Sequence, residues 1–354
     1  KFLHFFVPSL TIMRSMFYLP VIVSALCVLL VFLITRKIAG NIGGFFAGLI
    51  MAVNGAFLSR SLHPDNDIWV IFFPLLVTLL FVMTIDVKNK LKIVILTLLA
   101  GFFTGLFTLA WGGWWYIFDF LLGTIVITFL YLVLTKFSDI RKNLASFFSD
   151  AAIQNIIIVG FVYFFSTAVF ATLFSGFAEF RVSFFGPLSF PAIKNPLLSA
   201  TIWPNVLTTV AELNEGSIDS IINSMGGPFL FFIGMLGLIV SIHRTQGLKK
   251  FDFYYIIGTA IFYFILFIRF GERLQLYRSI SIFTLLAWII LPILIRISAA
   301  VYKKDSSYDF KLSILLSLWM ISTIFASIKG IRFTLMLAPA FSVAFGVALG
   351  KIYA

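Results

Sequence analysis

Apolar runs of about 18 to 20 residues recur along the whole of this sequence, and that is the length a helix needs to cross the hydrocarbon core of a bilayer. Backbone N–H and C=O groups find no water there, so the spanning segments must satisfy them internally, as helices do. Hydropathy places spans near 16–35, 38–58, 68–86, 92–111, 113–135, 153–175, 226–243, 253–270, 279–301, 312–328 and 332–350, about eleven in all. The expected fold class is all-α, a polytopic transmembrane helical bundle. Composition agrees: 61% of residues are hydrophobic and only 11% charged, which excludes a soluble enzyme, where about a quarter are charged. The single cysteine, Cys27, lies inside an apolar run and can form no internal bridge. The sequence opens on Lys1 and ends at Ala354 as a span finishes, so we expect a membrane-domain fragment.

Charge sets the orientation. With the 59–67 loop outside, the opposite loops collect Arg36, Lys37, Lys88, Lys136, Lys250 and Lys311 among others, as the positive-inside rule requires. This accounts for most of the net charge of +12 by contact with anionic membrane lipids, and no nucleic-acid partner is needed. The outer side then holds SRSLHPDND, the tryptophan cluster WGGWW at 111–115, a long segment at 176–225 and the turn RFGERLQLYR. The long segment carries Pro187, Pro191, Pro196 and Pro204, which preclude a long helix, and loops of this length are commonly functional.

Several outer residues are candidates for chemistry. Asp65 and Asp67, with Asn66 between them, offer hard oxygens to a divalent cation that bridges a phosphate, although an Asp at a helix start is equally an ordinary cap. Glu212 stands in the long loop, where a solvated carboxylate is the plain alternative. Arg332 opens a span and Arg269, Arg273 and Arg278 crowd another turn; an interfacial guanidinium either grips an anion or snorkels to headgroups. Glu179 and Arg181 read as interfacial decoration, Asp119 as a carboxylate reaching the interface, and the tryptophans as an aromatic belt.

Three strings, taken together, resemble one family. The stretch from MFYLPVIV through SRSLHPDNDIWVIFFPLL resembles the second and third spans and second acidic motif of the oligosaccharyltransferase catalytic subunit, most nearly its archaeal form. TVAE at 209–212 is similar to that family's Thr-Ile-x-Glu motif, with Val210 in place of Ile, and KGIRFTLMLAPAFSVAFG resembles the span that opens with its lipid-phosphate arginine. The likeness runs from about residue 10 to about residue 350.

The resemblance implies a type-C membrane glycosyltransferase fold that transfers an oligosaccharide from a dolichyl phosphate or diphosphate donor to Asn of Asn-x-Ser/Thr sequons. It implies that Asp65 ligates Mn²⁺ or Mg²⁺, that Asp67 ligates it or orients the ligand shell, that Glu212 contacts the acceptor polypeptide and that Arg332 holds the donor phosphate. Residues 1–354 would be a transmembrane catalytic domain with 176–225 as its large external loop, in the cell membrane with the active-site loops outside. The family's first acidic motif and its soluble Trp-Trp-Asp-Tyr-Gly domain have no counterpart here, so this piece alone is expected to be inactive. The alternatives are another polyprenyl-phosphate-sugar glycosyltransferase and, from a different class, a transporter or flippase, which would line a mid-membrane path with charge.

Overall fold

A computed structural model describes residues 11–63, 66–85, 87–137, 149–190, 214–244, 250–269, 282–305 and 307–354. In chain order the helices are α1 (Ile12–Val53), α2 (Gly55–Ser61), α3 (Asp67–Thr84), α4 (Lys90–Phe107), α5 (Trp115–Thr135), α6 (Ala151–Ser175) and α7 (Phe177–Ser189). There follow α8 (Ile218–Ser224), α9 (Pro228–Val240), α10 (Lys250–Phe264, extended by a π turn at Ile265–Arg269), α11 (Ile282–Tyr302), α12 (Lys311–Lys329) and α13 (Thr334–Tyr353). A two-residue ladder joins β1 (His243–Arg244) to β2 (Tyr308–Asp309), pairing His243 with Asp309 and Arg244 with Tyr308. The protein is therefore all-α apart from this clip.

Among the described residues, nine helices are long and apolar enough to cross a membrane, or ten if the bent pair α8–α9 is one span, so the expected eleven is not reached on that count. The longest of them, α1, is broken at Ala39 (φ −134°, ψ 19°) and Gly40 (φ 75°, ψ −176°). A straight helix would separate Val28 from Gly48 by about 30 Å at its rise of 1.5 Å per residue. Instead a Cβ built on Gly48 would lie 3.7 Å from Val28, and one on Gly44 would meet the Phe32 carbonyl at 2.9 Å. The chain therefore folds back at Gly40, whose left-handed φ few other residues adopt without strain.

The seam of this hairpin receives α13, the most buried helix, with 334–348 wholly inside. Gly346 and Gly350, one turn apart, face Gly43, Ala47 and Ala39; a Cβ on Gly350 would meet the Ala39 carbonyl at 2.5 Å. Lipid tails are as apolar as leucine, so van der Waals fit between small residues is what associates helices here. A substitution such as Gly350→Leu would push these backbones apart.

The same packing sorts the chain's polar ends. At one end, Lys37, Lys351, Ser241 and Asp309 border a common cleft of about 180 Å³. Asp309 pairs with Lys311 at 3.2 Å, and Lys136 pairs with Asp150, the N-cap of α6. Burial pushes the Asp150 carboxyl up, but the Lys136 ammonium and the N–H groups of Ile153 and Ala152 outweigh it and hold the group below its usual range. The opposite end gathers 54–63, Asn66, Asp67, 111–115, Phe190, 214–225 and 328–333, as the contacts below establish. Among the described residues, Asp67 and Arg332 thus lie at the end away from Lys37, Lys136, Lys311 and Lys351.

Two expected features differ. Residues 176–225 begin with the helix α7, which turns away from α6 at Gly176 (φ 93°) and carries Pro187 in its last turn, just before it ends. The tryptophans are not simply a lipid-facing belt: Trp114 is fully buried and donates its indole N–H to Glu179 at 3.0 Å, tying α5 to α7. Glu179 is correspondingly a structural acceptor rather than decoration.

Candidate functional site at the outer end

Asp67 lies in the first turn of α3, where the helix N-terminus favours an anion. Its carboxylate is only 6% exposed and accepts a hydrogen bond from the Arg332 guanidinium at 2.5 Å, across 265 residues of sequence. The N-cap residue of that helix, Asn66, makes no side-chain capping bond. A second guanidinium, Arg60, stands 3.9 Å from the other carboxylate oxygen. Arg60 escaped the sequence reading although SRSLHPDND was in view; the signal was a cation one turn of chain away from two carboxylates.

Arg60 is delivered by α2, whose start is fixed by Asn54. The Asn54 side chain accepts from Phe57 N–H at 2.9 Å and donates to the Ser224 carbonyl at 3.2 Å. One residue therefore caps α2 and locks it to α8. Arg332 sits on a tight 3₁₀ turn, Ile331–Phe333, between α12 and α13. Ile331 N–H donates to the Asn214 carbonyl at 2.9 Å, and Gly216 N–H donates to the Ile328 carbonyl at 3.0 Å. The returning end of the long outer segment is thus stitched to the arginine turn by two backbone hydrogen bonds. Arg332 itself is 43% exposed, so its guanidinium is paired with Asp67 and still accessible.

Beside this turn opens a cavity of about 450 Å³, with Trp111, Trp115, Tyr116, Asp119, Phe190 and Phe333 among its walls. Phe333 packs on Phe190 and Trp111, with ring centroids 5.4 and 6.4 Å apart. Its wall is fixed from behind by Tyr116, which donates to the Val70 carbonyl of α3 at 3.0 Å. One oxygen of Asp119 in this wall is fully buried without a hydrogen-bond partner.

Of the four expected site residues, Asp67 and Arg332 are brought together. Asp65 and Glu212 lie outside the described residues, as do Arg273 and Arg278. Among the described residues no group of three His, Cys, Asp or Glu side chains is placed to hold a metal.

A helical membrane bundle with a paired aspartate and arginine next to an aromatic-walled cavity lined by Phe333 is the class of protein defined so far. Residues 1–353 match the family model described as Oligosaccharyl transferase STT3, N-terminal, and the chain belongs to that family. It is 24% identical over 358 aligned positions to a dolichyl-phosphooligosaccharide-protein glycotransferase of Methanococcus voltae, covering 97% of this chain and 34% of that protein. A protein of the same description from Methanocaldococcus jannaschii is 26% identical over 266 positions, 75% of this chain and 22% of the relative. The chain spans a third or less of these curated relatives. Among solved structures it is similar to the archaeal oligosaccharyltransferase AglB of Archaeoglobus fulgidus, determined with an inhibitory peptide and a dolichol-phosphate. That likeness has 16% identity and a TM-score of 0.46 over 96% of this chain and 39% of the other.

Proposed function

We propose that this chain is the membrane part of an oligosaccharyltransferase that moves an oligosaccharide from a dolichyl phosphate or diphosphate to the amide nitrogen of a sequon asparagine. The observation that carries the reading is the meeting of Arg332 with Asp67, two positions that sequence alone could join only through family resemblance, on the turn whose Phe333 lines the cavity. In this reading the exposed face of Arg332 holds the donor phosphate in a forked, charge-assisted contact. The adjoining aromatic cavity takes the first isoprene units of the lipid, which needs apolar walls and little else.

Asp65, two residues before Asp67, and Glu212, two residues before Asn214, complete the site. Hard carboxylate oxygens of this kind suit Mn²⁺ or Mg²⁺, and Asp67, a buried carboxylate beside Arg332, has the donor chemistry for it. Asp65 and Asp67 would hold the ion, which when bound offsets negative charge on the leaving phosphate. In the reaction the anomeric C–O bond breaks with its electron pair left on the phosphate oxygen, a C–N bond forms, and the amide nitrogen releases one proton to solvent. Glu212 engages the acceptor, where a hydrogen bond from the amide N–H reduces delocalisation of its lone pair. The chain sits in the cell membrane with this end outward.

Binding of farnesyl phosphate to the detergent-solubilised protein tests the central assignment. Arg332→Gln is expected to weaken it by about tenfold or more, the loss of a charge-assisted hydrogen-bonded contact. Unchanged affinity would sink the assignment. In the protein at its full natural length, Asp65→Ala and Glu212→Ala should each remove most glycopeptide formation while leaving thermal unfolding in place.

A further inference from the structure

An isoprenoid tail uses the apolar walls of the outer cavity but gives nothing to Asp119. This acid is the fifth residue of α5, about 6 Å along the axis from Trp115. Trp115, Asp119 and Gly123 follow at four-residue intervals and therefore share the helix face that lines the cavity. One Asp119 oxygen is fully buried with no hydrogen-bond partner, and among the described residues no lysine or arginine lines the cavity. What surrounds the acid is aromatic. Trp115 packs on Phe190 with ring centroids 6.1 Å apart, Phe190 on Phe333 at 5.4 Å and Phe333 on Trp111 at 6.4 Å, an arc of rings along one cavity. Ring faces attract cations within about 6 Å of their centroids, and an ionised carboxylate in an apolar site is costly until a counter-ion meets it. The protein already uses this combination at its other end, where Arg296 pairs with Asp252 and lies over the rings of Tyr308, Phe251 and Tyr255. There the chain supplies its own cation. In the outer cavity the described residues supply the acid and the rings alone.

We propose that the outer cavity is a binding site for a lipophilic ammonium ion, with Asp119 as its counter-ion and the surrounding aromatic rings as its cage. The ligand class follows from the walls. Their apolar surface calls for an apolar body, the lone carboxylate for a single positive charge, and the rings for the diffuse charge of an alkylammonium group. A hard divalent metal would need several oxygen ligands, and Asp119 offers two oxygens. At about 450 Å³ the cavity lies within the ~300–1,000 Å³ usual for small-molecule pockets. One turn past the acid, Gly123 lets α5 approach α12; a Cβ there would lie 3.2 Å from Leu318, which closes the cavity on that side. The inference goes beyond the transfer reading, since it requires no contact at Arg332. Where the donor tail takes the same cavity, an amphiphilic amine competes with it.

The test compares two probes of one shape, a geranyl chain ending in trimethylammonium and the same chain ending in an uncharged tert-butyl group. Each is bound to the whole chain in detergent, with partition into protein-free micelles subtracted. Wild type should bind the ammonium probe about tenfold or more tightly than its neutral twin, as expected for a desolvated cation between rings and a carboxylate. Asp119→Asn should lower that preference to about threefold or less, the share left to the rings alone. Equal affinity of wild type for the two probes overturns the proposal. So does a preference that survives Asp119→Asn, which would put the cation on another aromatic surface. If Asp119→Asn does not fold, a diazirine on the ammonium probe decides the matter in wild type: photolabelling should fall on 111–123, and labelling confined to other segments overturns the site. Nanodiscs identify the source of the ammonium group. A preference lost in phosphatidylethanolamine but kept in phosphatidylglycerol supports the site as one for a membrane aminolipid, and a preference kept in both supports a free amphiphilic amine. Failure of the site would leave farnesyl phosphate binding, and the transfer reading with it, untouched, and loss of that binding alone would leave this site standing.

Discussion

Two arginine–aspartate pairs occupy opposite ends of this bundle and are built for different purposes. At the basic end, Arg296 of α11 and Asp252 of α10 pair with side chains only 5% and 6% exposed. Tyr308 of β2 donates to the same Asp252 carboxylate at 2.7 Å, and Arg296 stacks over the rings of Tyr308, Phe251 and Tyr255 at 4.3, 5.0 and 5.4 Å. Every face of that guanidinium is covered by aromatic rings or carboxylate. At the outer end the aspartate is equally buried, but Arg332 shows 43% of its side chain to solvent. A closed pair clamps two helices and the β clip; an open pair presents a cation that something else can bind. The two pairs differ in the exposure of the arginine, not in the pairing.

That contrast can be broken by mutation. The largest effect is expected for Asp252→Ala, which strands a buried guanidinium: a loss of about 3–5 kcal/mol in unfolding free energy, with donor-analogue affinity unchanged. Thermal unfolding in detergent reads the first and titration with farnesyl phosphate the second; an affinity that fell with stability would show the two ends to be coupled. The converse variant, Arg332→Ala, is expected to cost less stability, about 1–3 kcal/mol, because it leaves the buried Asp67 carboxylate with Arg60 still facing it at 3.9 Å. Its main effect should be on phosphate binding. A large stability loss there would make Arg332 a clamp like Arg296.

Tyr308→Phe sharpens the comparison on a finer scale. It removes one hydrogen bond to a charged acceptor while keeping the stacked ring, and should cost about 1.5–3 kcal/mol. No measurable change would mean that the rings alone hold Arg296. The smallest effect belongs to the Lys136–Asp150 pair, whose side chains are 27% and 23% exposed. Because the folded Asp150 carboxyl is held below its usual range, its contribution is complete above the ordinary carboxylate pKa and is lost as pH falls through the lower folded value. Lys136→Gln should thus lower the unfolding temperature slightly near neutral pH, and the difference from wild type should vanish in acid.

Much of the architecture was legible in sequence for one reason: in a membrane the length of an apolar run is itself a structural constraint. Arg36 and Lys37 interrupting the first long run marked the fold-back that Gly40 executes, and the proline-bearing spans needed no exception. The helix α7 was not legible, because Pro187 reads as a breaker wherever it stands, yet ten helical residues precede it and the helix ends two residues after it. Trp114 looked like an interfacial tryptophan because nothing local reveals that Glu179 will arrive 65 residues later to accept its N–H. Arg296 had a signal, an arginine inside an apolar run, yet its partner Asp252 lies 44 residues away at the start of another helix.

By itself, then, the sequence determined that the chain is a bundle of membrane-crossing helices, which end carries the basic loops, and which short strings resemble a glycosyltransferase. These follow from local quantities, runs of hydrophobicity and counts of charge. Tertiary structure alone decided that Asp67 meets Arg332, that Arg60 stands behind them, and that the aromatic cavity opens at their side. Contacts across 265 residues depend on how glycine seams and helix caps set whole helices against one another, and no local pattern encodes that distance.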